Sequence, residues 1–386
     1  MNVILFDLNR EYYYPLSFTR AISDFRIGIL TIKEKWECYY NNISVDTADY
    51  LQSKYPYNTD TDDNLWINSS IIPNLQLVKE LKSLRNGEVL KQSNKLIAFR
   101  NSVKVFEGLN NIDTNVEITS INKIWDIFLL NSHQIRSDFS FLASKKKTKD
   151  LSLTNSIIGD DIFVADDVKA EYSTFNTDSG PIYIGKNVEV MEGCNIRGPF
   201  AILDNSILKM GAKIYGGTTL GPFSKVGGEV NNSVFFGYSS KAHDGFLGNS
   251  VVGEWCNFGA GSNNSNLKNN YDNVRLWSYI SESFESTELQ FCGLIMGDHS
   301  KCGINSMFNT GTIVGVSCNI YGTGFLRNFI PSFSWGGVKG LSTYKKDKVF
   351  SVAKKVMERR GIEFVQTDAD ILSSIFNMTK RYRISG

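Results

Sequence analysis

Residues 296–320 read MGDHSKCGINSMFNTGTIVGVSCNI. Met296, Cys302, Phe308, Val314 and Ile320 recur at intervals of six, and Gly297, Gly303 and Gly315 each follow one of them. A helix repeats every 3.6 residues and a half-buried strand every two, so neither produces this beat. A period of six is the mark of a hexapeptide parallel β-helix, with one short strand and one turn per hexad. The apolar residue points into the prism. A small residue four places later also points inward, and glycine eases the tight turn.

The beat extends outward from this stretch. Ile184, Val190, Ile196 and Ile202 keep it, as do Leu208, Ile214, Leu220 and Val226, and Val252 with Phe258. "VMEGCN", "VGEWCN" and "VGVSCN" put Cys194, Cys256 and Cys318 in the small inward slot. These cysteines read as compact core residues. The repeat breaks at GGEVNNSVFFGYSSKAHDGFLGNS and again in an asparagine- and aromatic-rich excursion, NNSNLKNNYDNVRLWSYISESFESTELQFCG. Loops thrown off a rigid solenoid are common places for a site.

Before Leu151 the pattern differs. NVILFDL, DNLWINSSII, NKLIAFR and NVEIT read as strands. RIGILTIKEKWECYY, PNLQLVKELKSLRN and KIWDIFLLNSHQIRSDF read as helices, the second opening on its proline. Strands mixed with helices predict an α/β domain. ASKKKTKD then reads as a basic, solvated connector. After the coil, the segment from Lys345 onward has helical spacing. The expected domains are 1–150 α/β, 151–335 β-helix and 336–386 a C-terminal helical extension.

A chain of 386 residues carries a formal charge of +1. That balance gives no footprint for nucleic acid or for an anionic membrane surface. No apolar run is long enough to span a bilayer. The six cysteines form no CxxC pair. A reducing, cytoplasmic setting is expected.

His243 is one of three histidines. It stands in KAHDGFLG, which is polar and glycine-rich rather than core-like, so its imidazole is a candidate general base near neutral pH. His299 at a hexad turn reads as a surface or subunit contact, and His133 lies on a predicted helix without an evident partner. Two histidines in unrelated settings do not make a three-histidine zinc site, and no metal ligand set is expected. Arg197, Lys225, Lys241, Lys268 and Arg275 are candidate phosphate cations, with Lys225 and Lys241 first because they flank the break. Asn266 follows GAGSNNS and can orient an acceptor or an oxyanion.

KAHDGFLGNSVVGEWCNFGAGSNNSN resembles the acetyltransferase half of the bifunctional N-acetylglucosamine-1-phosphate uridyltransferase/glucosamine-1-phosphate acetyltransferase family. His243, Gly248, the hexad from Val252, Gly259-Ala260-Gly261 and Asn266 match its order. PLSFTRAISDFRIGILTIKEKWE, GLIMGDHSKCGINSMFNTGTIVG and IPSFSWGG resemble a divergent branch of it. The resemblance implies an N-terminal nucleotidyltransferase-like α/β domain, a left-handed β-helix, a homotrimer, and acetyl-coenzyme A lying along the coil. It implies that His243 is the base on the amine of glucosamine 1-phosphate, with Asn266 beside the acceptor or the acetyl group. Lys225, Lys241, Arg197 and Glu229 are the expected substrate contacts. Backbone at Gly303, Gly315 and Gly322 is expected to line the coenzyme A channel.

Several positions depart from the family. GEVNNSVF stands where its paired lysines precede the histidine, and Leu267 replaces the tyrosine after its asparagine. No glycine-rich phosphate loop opens the chain, since Gly28 is its first glycine. Arg10, Arg20 and Lys33 are the cations left to hold a nucleotide, Asn68 stands where a metal loop would be sought, and Mg2+ enters only with nucleotidyl transfer. Two other readings compete: a sugar-phosphate nucleotidyltransferase whose β-helix serves oligomerisation, and a non-enzymatic trimeric scaffold.

Overall fold

The structure is a computed structural model that describes residues 2–57, 59, 62–144 and 148–383. Lys145–Lys147 of the predicted basic connector lie outside the described residues. By packing, the chain forms two units: Met1–Tyr13, Thr19–Phe25 and Leu30–Ile124; and Tyr14–Phe18, Arg26–Ile29 and Trp125–Gly386.

The first unit is built on a six-stranded sheet. Its order is Ile43–Asp46, Asn2–Phe6, Asn64–Asn68, Lys95–Asn101, Glu88–Gln92 and Asn110–Asp113. The predicted strand NVILFDL lies between two parallel neighbours, so both its faces are buried. Phe6, Trp66 and Phe99 cluster on one face, with centroids 5.4–6.5 Å apart. Of RIGILTIKEKWECYY only Ile32–Glu37 is helical. A capping box sets its start: Thr31 N donates to Glu34 Oε2 at 2.6 Å, and Glu34 N to Thr31 Oγ1 at 3.1 Å. The next helix, Leu75–Ser83, is capped by Asn74, whose Oδ1 accepts from Leu77 N at 2.8 Å. Pro73 therefore precedes the cap and does not occupy the first helical position. Of NVEIT only Thr119 is strand, in Thr119–Ser120 paired with Ile71–Ile72.

The second unit is dominated by a parallel β-helix, as the hexads predict. One face has nine strands, from Ile162–Val164 to Phe329–Ile330. A second runs from Lys169–Ala170 and ends in the hairpin Ser334–Gly337/Gly340–Thr343. A third runs from Ser156–Ile158 to Phe246–Gly248 and continues as Asn263–Asn264 paired with Met307–Phe308. Ile184, Val190, Ile196, Ile202, Leu208 and Ile214 all enter the central core, one inward residue per face per turn.

The break in the beat is absorbed without leaving the coil. Inward residues pass from Val226 to Val230 and Phe235, so this turn is shorter, yet Leu220 still pairs with Phe235 and Val230 with Leu247. Serines and cysteines lock the small slots. Ser239 Oγ donates to Gly253 O at 2.7 Å and accepts from Cys256 N at 2.9 Å. Ser300 repeats this with Gly315 O and Cys318 N, at 2.6 and 2.9 Å. Cys256 and Cys318 precede second-face strands whereas Cys194 precedes a third-face strand, so the shared slot falls at two different corners. Burial pushes the thiol of Cys318 up to about 11 and that of Cys292 up to about 12.

The helix Asp126–Ala143 packs on the coil. Asn131 Nδ2 donates to Gly217 O at 2.7 Å. The predicted helical tail forms two helices, Lys346–Glu358 and Gln366–Met378, separated after Gly361, whose φ is +70°. Phe376 of the second meets Phe333 edge-on at 5.0 Å.

Candidate functional site

Between the second-face strand Ser240–Lys241 and the third-face strand Phe246–Gly248, the chain turns a corner through Ala242-His243-Asp244-Gly245. His243 and Asp244 are exposed there. The register Val226↔Lys241 makes Lys241 an inward residue, stacked where its neighbours place valine and phenylalanine. Lys241 is 2% exposed. Its Nζ donates to Gly227 O at 2.8 Å and to His243 O at 2.9 Å. Burial lowers its pKa to about 8. Lys241, expected as a phosphate ligand, is thus turned into the prism, because four methylenes reach from its inward slot to carbonyls at the corner. It fixes the backbone of His243 instead.

The next coil stacks on this turn. Gly261 N donates to Asp244 O at 3.0 Å. A Cβ on Gly245, whose φ is +126°, would lie 2.0 Å from Ser262 O, so only glycine fits. Here the backbone ladder of the third face is interrupted and asparagine side chains bridge it. Phe246 N donates to Asn263 Oδ1 at 2.8 Å. Gly248 N donates to Asn264 Oδ1 at 2.9 Å, and Asn264 Nδ2 donates back to Gly248 O at 3.1 Å. Asn266 Nδ2 donates to Asn249 Oδ1 at 2.8 Å. Asn266 also stands at the neck of the excursion, where Cys292 N donates to its carbonyl at 2.9 Å. The excursion itself is an antiparallel hairpin, Arg275–Ser278 with Ser283–Ser286, and Trp277 stacks on Phe329 at 4.3 Å.

Glu229 joins this corner. It pairs with Phe246 on the third face, and its N donates to Gly245 O at 3.2 Å. Arg197 does not. It is exposed two rungs away, in a groove of about 420 Å³ shared with Lys213 and Tyr215. Lys225 lies on the second face, at the end of its strand away from His243. Lys268 Nζ is held by Asn273 O at 2.7 Å, and Arg275 donates to Phe284 O. By register, Gly303 and Gly322 follow the second-face strands two and three coils beyond His243, along its own corner. Gly315 is at another corner, where a Cβ would meet Ser332 N at 2.3 Å.

No carboxylate among the described residues hydrogen-bonds the imidazole of His243. His299 stacks near Trp255 at 6.2 Å on another corner, and His133 sits on the helix Asp126–Ala143, with Nδ1 3.2 Å from Gln134 Nε2. The sequence did not point to Asn263 and Asn264, although a doubled asparagine beside a glycine-rich turn is the one signal available for side chains that cap open backbone.

In the first unit the expected nucleotide cations are engaged internally. Arg10 is buried and pairs with Asp7, donates to Thr47 Oγ1 at 2.5 Å and to Arg20 O at 3.2 Å. Asp7 also accepts from Ile22 N at 3.1 Å, and burial outweighs Arg10 in raising its pKa. Arg20 is 4% exposed. Lys33 pairs with Glu37 at 3.3 Å along its helix. Asn68 Oδ1 accepts from Ser70 N and Oγ, at 3.0 and 2.9 Å, and so closes a turn. No group of three His, Cys, Asp or Glu able to hold a metal occurs among the described residues. The donor set at Asp7 and Asn68, buried and already bonded, does not fit Mg2+.

Residues 3–147 match the family described as sugar nucleotidyl transferase. Two similar proteins are each a bifunctional protein GlmU. That of Methanocaldococcus jannaschii is 31% identical over 121 residues, covering 31% of this chain and 27% of its own length. That of Methanococcus aeolicus is 28% identical over 127 residues, covering 33% and 28%. The chain spans about a quarter of the length of these curated relatives. Among solved structures, the D94N mutant of AntD, an N-acyltransferase from Bacillus cereus in complex with dTDP and coenzyme A, aligns at 12% identity. That alignment covers 53% of this chain and 91% of AntD, with a TM-score of 0.22.

Proposed function

We propose that this chain, which is similar to the sugar nucleotidyl transferase family over residues 3–147 and to GlmU proteins over part of its length, is an acetyl-coenzyme A-dependent N-acetyltransferase. Its acceptor is an amino-sugar 1-phosphate, glucosamine 1-phosphate in the first instance. The observation that carries this reading is the corner itself. A solvent-exposed histidine is pinned by a buried lysine, beside Glu229, at a stacking step where asparagine side chains replace the ladder.

His243 accepts the proton from the sugar amine as the amine attacks the thioester carbonyl. The C–N bond forms, the C–S bond breaks, and the coenzyme A thiolate leaves and takes up a proton. Glu229 holds the amine, and Asn266 orients the acceptor or the acetyl oxygen. Gly303 and Gly322 lie along the same corner, which supports an acyl donor running up it; Gly315, at another corner, is not needed. Lys225 and Arg197 are too far apart on the coil to serve one phosphate together. On this reading residues 1–150 are the nucleotidyltransferase-like part and 151–335 the acyltransferase part; the hairpin Ser334–Gly337/Gly340–Thr343 carries the coil's second face into 336–386, whose helices begin at Lys346. The assembly is a homotrimer in the cytoplasm. Six free thiols fit a reducing compartment, and no helix among the described residues is long and apolar enough to cross a membrane.

The family match of residues 3–147 favours a second reading, nucleotidyl transfer to a UDP-sugar, with the coil only assembling the protein. One assay separates the two. Purified chain is incubated with acetyl-coenzyme A and a panel of amino-sugar 1-phosphates, and product is followed by mass. An acetylated sugar phosphate supports acyl transfer. Turnover of UTP with a sugar 1-phosphate, unchanged in His243→Ala and without any acetylated product, supports the second reading.

A further inference from the structure

A second pocket of about 370 Å³ opens on the second face of the coil. That volume lies within the roughly 300–1,000 Å³ range of small-molecule sites. Four successive rungs supply its floor, since Lys225 pairs with Ser240, Ser240 with Asn257 and Asn257 with Lys301. Arg359 and Arg360, at the end of the helix Lys346–Glu358, form its lip. Tyr238 and Trp255 wall one side, stacked at 4.3 Å.

The charge of this pocket is one-sided. Lys225, Lys301, Arg359 and Arg360 line it, and none of the four makes an ion pair with a carboxylate among the described residues. The helix end offers about half a negative charge, too little to offset four cations. Lys301 Nζ donates to His299 O at 2.8 Å, a neutral partner. The crowding is visible in the groups themselves. Lys225 is pushed down by burial and then by Arg360, Lys209 and Arg359, with Glu189 opposing them weakly, and Arg360 is pushed down by burial and by Arg359.

The wall is equally unusual. Tyr238 and Trp255 have φ of +52° and +62°, on the corner where Asn187 and Asn205 serve elsewhere. Bulky side chains seldom adopt this conformation, and such positions persist where the surroundings hold them. Partly desolvated cations without counter-charges destabilise a fold, and a bound anion relieves them.

We propose that this pocket binds a phosphate-bearing ligand, the guanidinium groups of Arg359 and Arg360 gripping phosphate oxygens from the lip and Lys225 and Lys301 meeting them from the floor. Arginine forks suit phosphate geometry, and Ser240 and Asn257 add neutral donors. The pocket opens on the second face toward the end of its strands away from the His243 corner, so it stands whether or not that corner transfers an acetyl group. The phosphates can come from coenzyme A or from a sugar nucleotide.

Titration of the full chain with inorganic pyrophosphate, followed by calorimetry and by melting temperature, tests the assignment. Saturable binding is expected, together with a rise in melting temperature. Arg359→Gln/Arg360→Gln and Lys225→Gln are each expected to weaken that binding about tenfold or more while melting no lower than the wild type without ligand. Competition then identifies the source. Coenzyme A or UDP-N-acetylglucosamine, whichever displaces pyrophosphate at the lower concentration, is the natural class. Absence of saturable binding, equal binding by wild type and both variants, or failure of both competitors overturns the proposal.

Discussion

Lys241 is the residue where charge and fold conflict most directly. An ammonium in an apolar prism is tolerated because two carbonyls receive it, and burial brings its pKa from 10.5 to about 8. Between those values the unfolded chain holds a proton that the folded chain has released. Stability contributed by this group therefore rises with pH across that window, by about 3 kcal/mol at roughly 1.4 kcal/mol per pH unit. Lys241→Met removes the titration and keeps an apolar stem. At pH 7 the variant is expected to be at least as stable as the wild type. The wild type should gain about 3 kcal/mol on it between pH 8 and 10.5, measured by urea midpoints. A gap that stays constant with pH would mean that the lysine is not desolvated. The exposed, glycine-rich turn that holds His243 was readable from its polar neighbours. The inward turn of Lys241 was not, because the four- and five-residue steps from Val226 to Phe235 shift the beat by which its slot would be counted.

At the scale of elements, the coil is the part most legible in the sequence. Each hexad writes one inward residue, and the predicted residues fill one core. The first unit was less legible. Its short strands Ile43–Asp46 and Asn110–Asp113 have neither the length nor the alternation that a period-two reading needs. The hairpin Arg275–Ser278/Ser283–Ser286 was hidden for the same reason. The ladder break beside His243 makes a testable claim about Asn264, which is 4% exposed and exchanges two hydrogen bonds with Gly248. Asn264→Ala leaves the Gly248 N–H without its acceptor, while Gly248 O keeps the Ser250 Oγ–H at 2.7 Å; the loss should cost about 1–2 kcal/mol, with faster amide exchange at 246–248. Asn263→Ala, at an exposed position, should cost under about 1 kcal/mol. Equal losses in the two would show that the bridge is not what holds this step.

For the whole molecule, the coil buries its inner columns and the helix Asp126–Ala143 covers part of one outer face, so assembly has to be argued from the rest of its surface. The trimer reading predicts a solution mass three times the 43.4 kDa chain mass, by sedimentation or light scattering. A mass of one chain would put the acyl donor on a single coil. The charge balance of +1 concealed the basic pocket. Its cations come from two coil strands and from a helix far along the chain, and a composition averages over such convergence. The central claim is that His243 is the base of an acetyl transfer, and removing a general base lowers a rate by roughly 10²–10⁴-fold. The direct measurement is single-turnover acetyl transfer from acetyl-coenzyme A to glucosamine 1-phosphate by wild type and His243→Ala, with melting temperatures taken alongside. The account predicts a loss in that range at unchanged stability, because the imidazole is exposed and only its backbone is tied into the coil. A variant that transfers acetyl at the wild-type rate would contradict it.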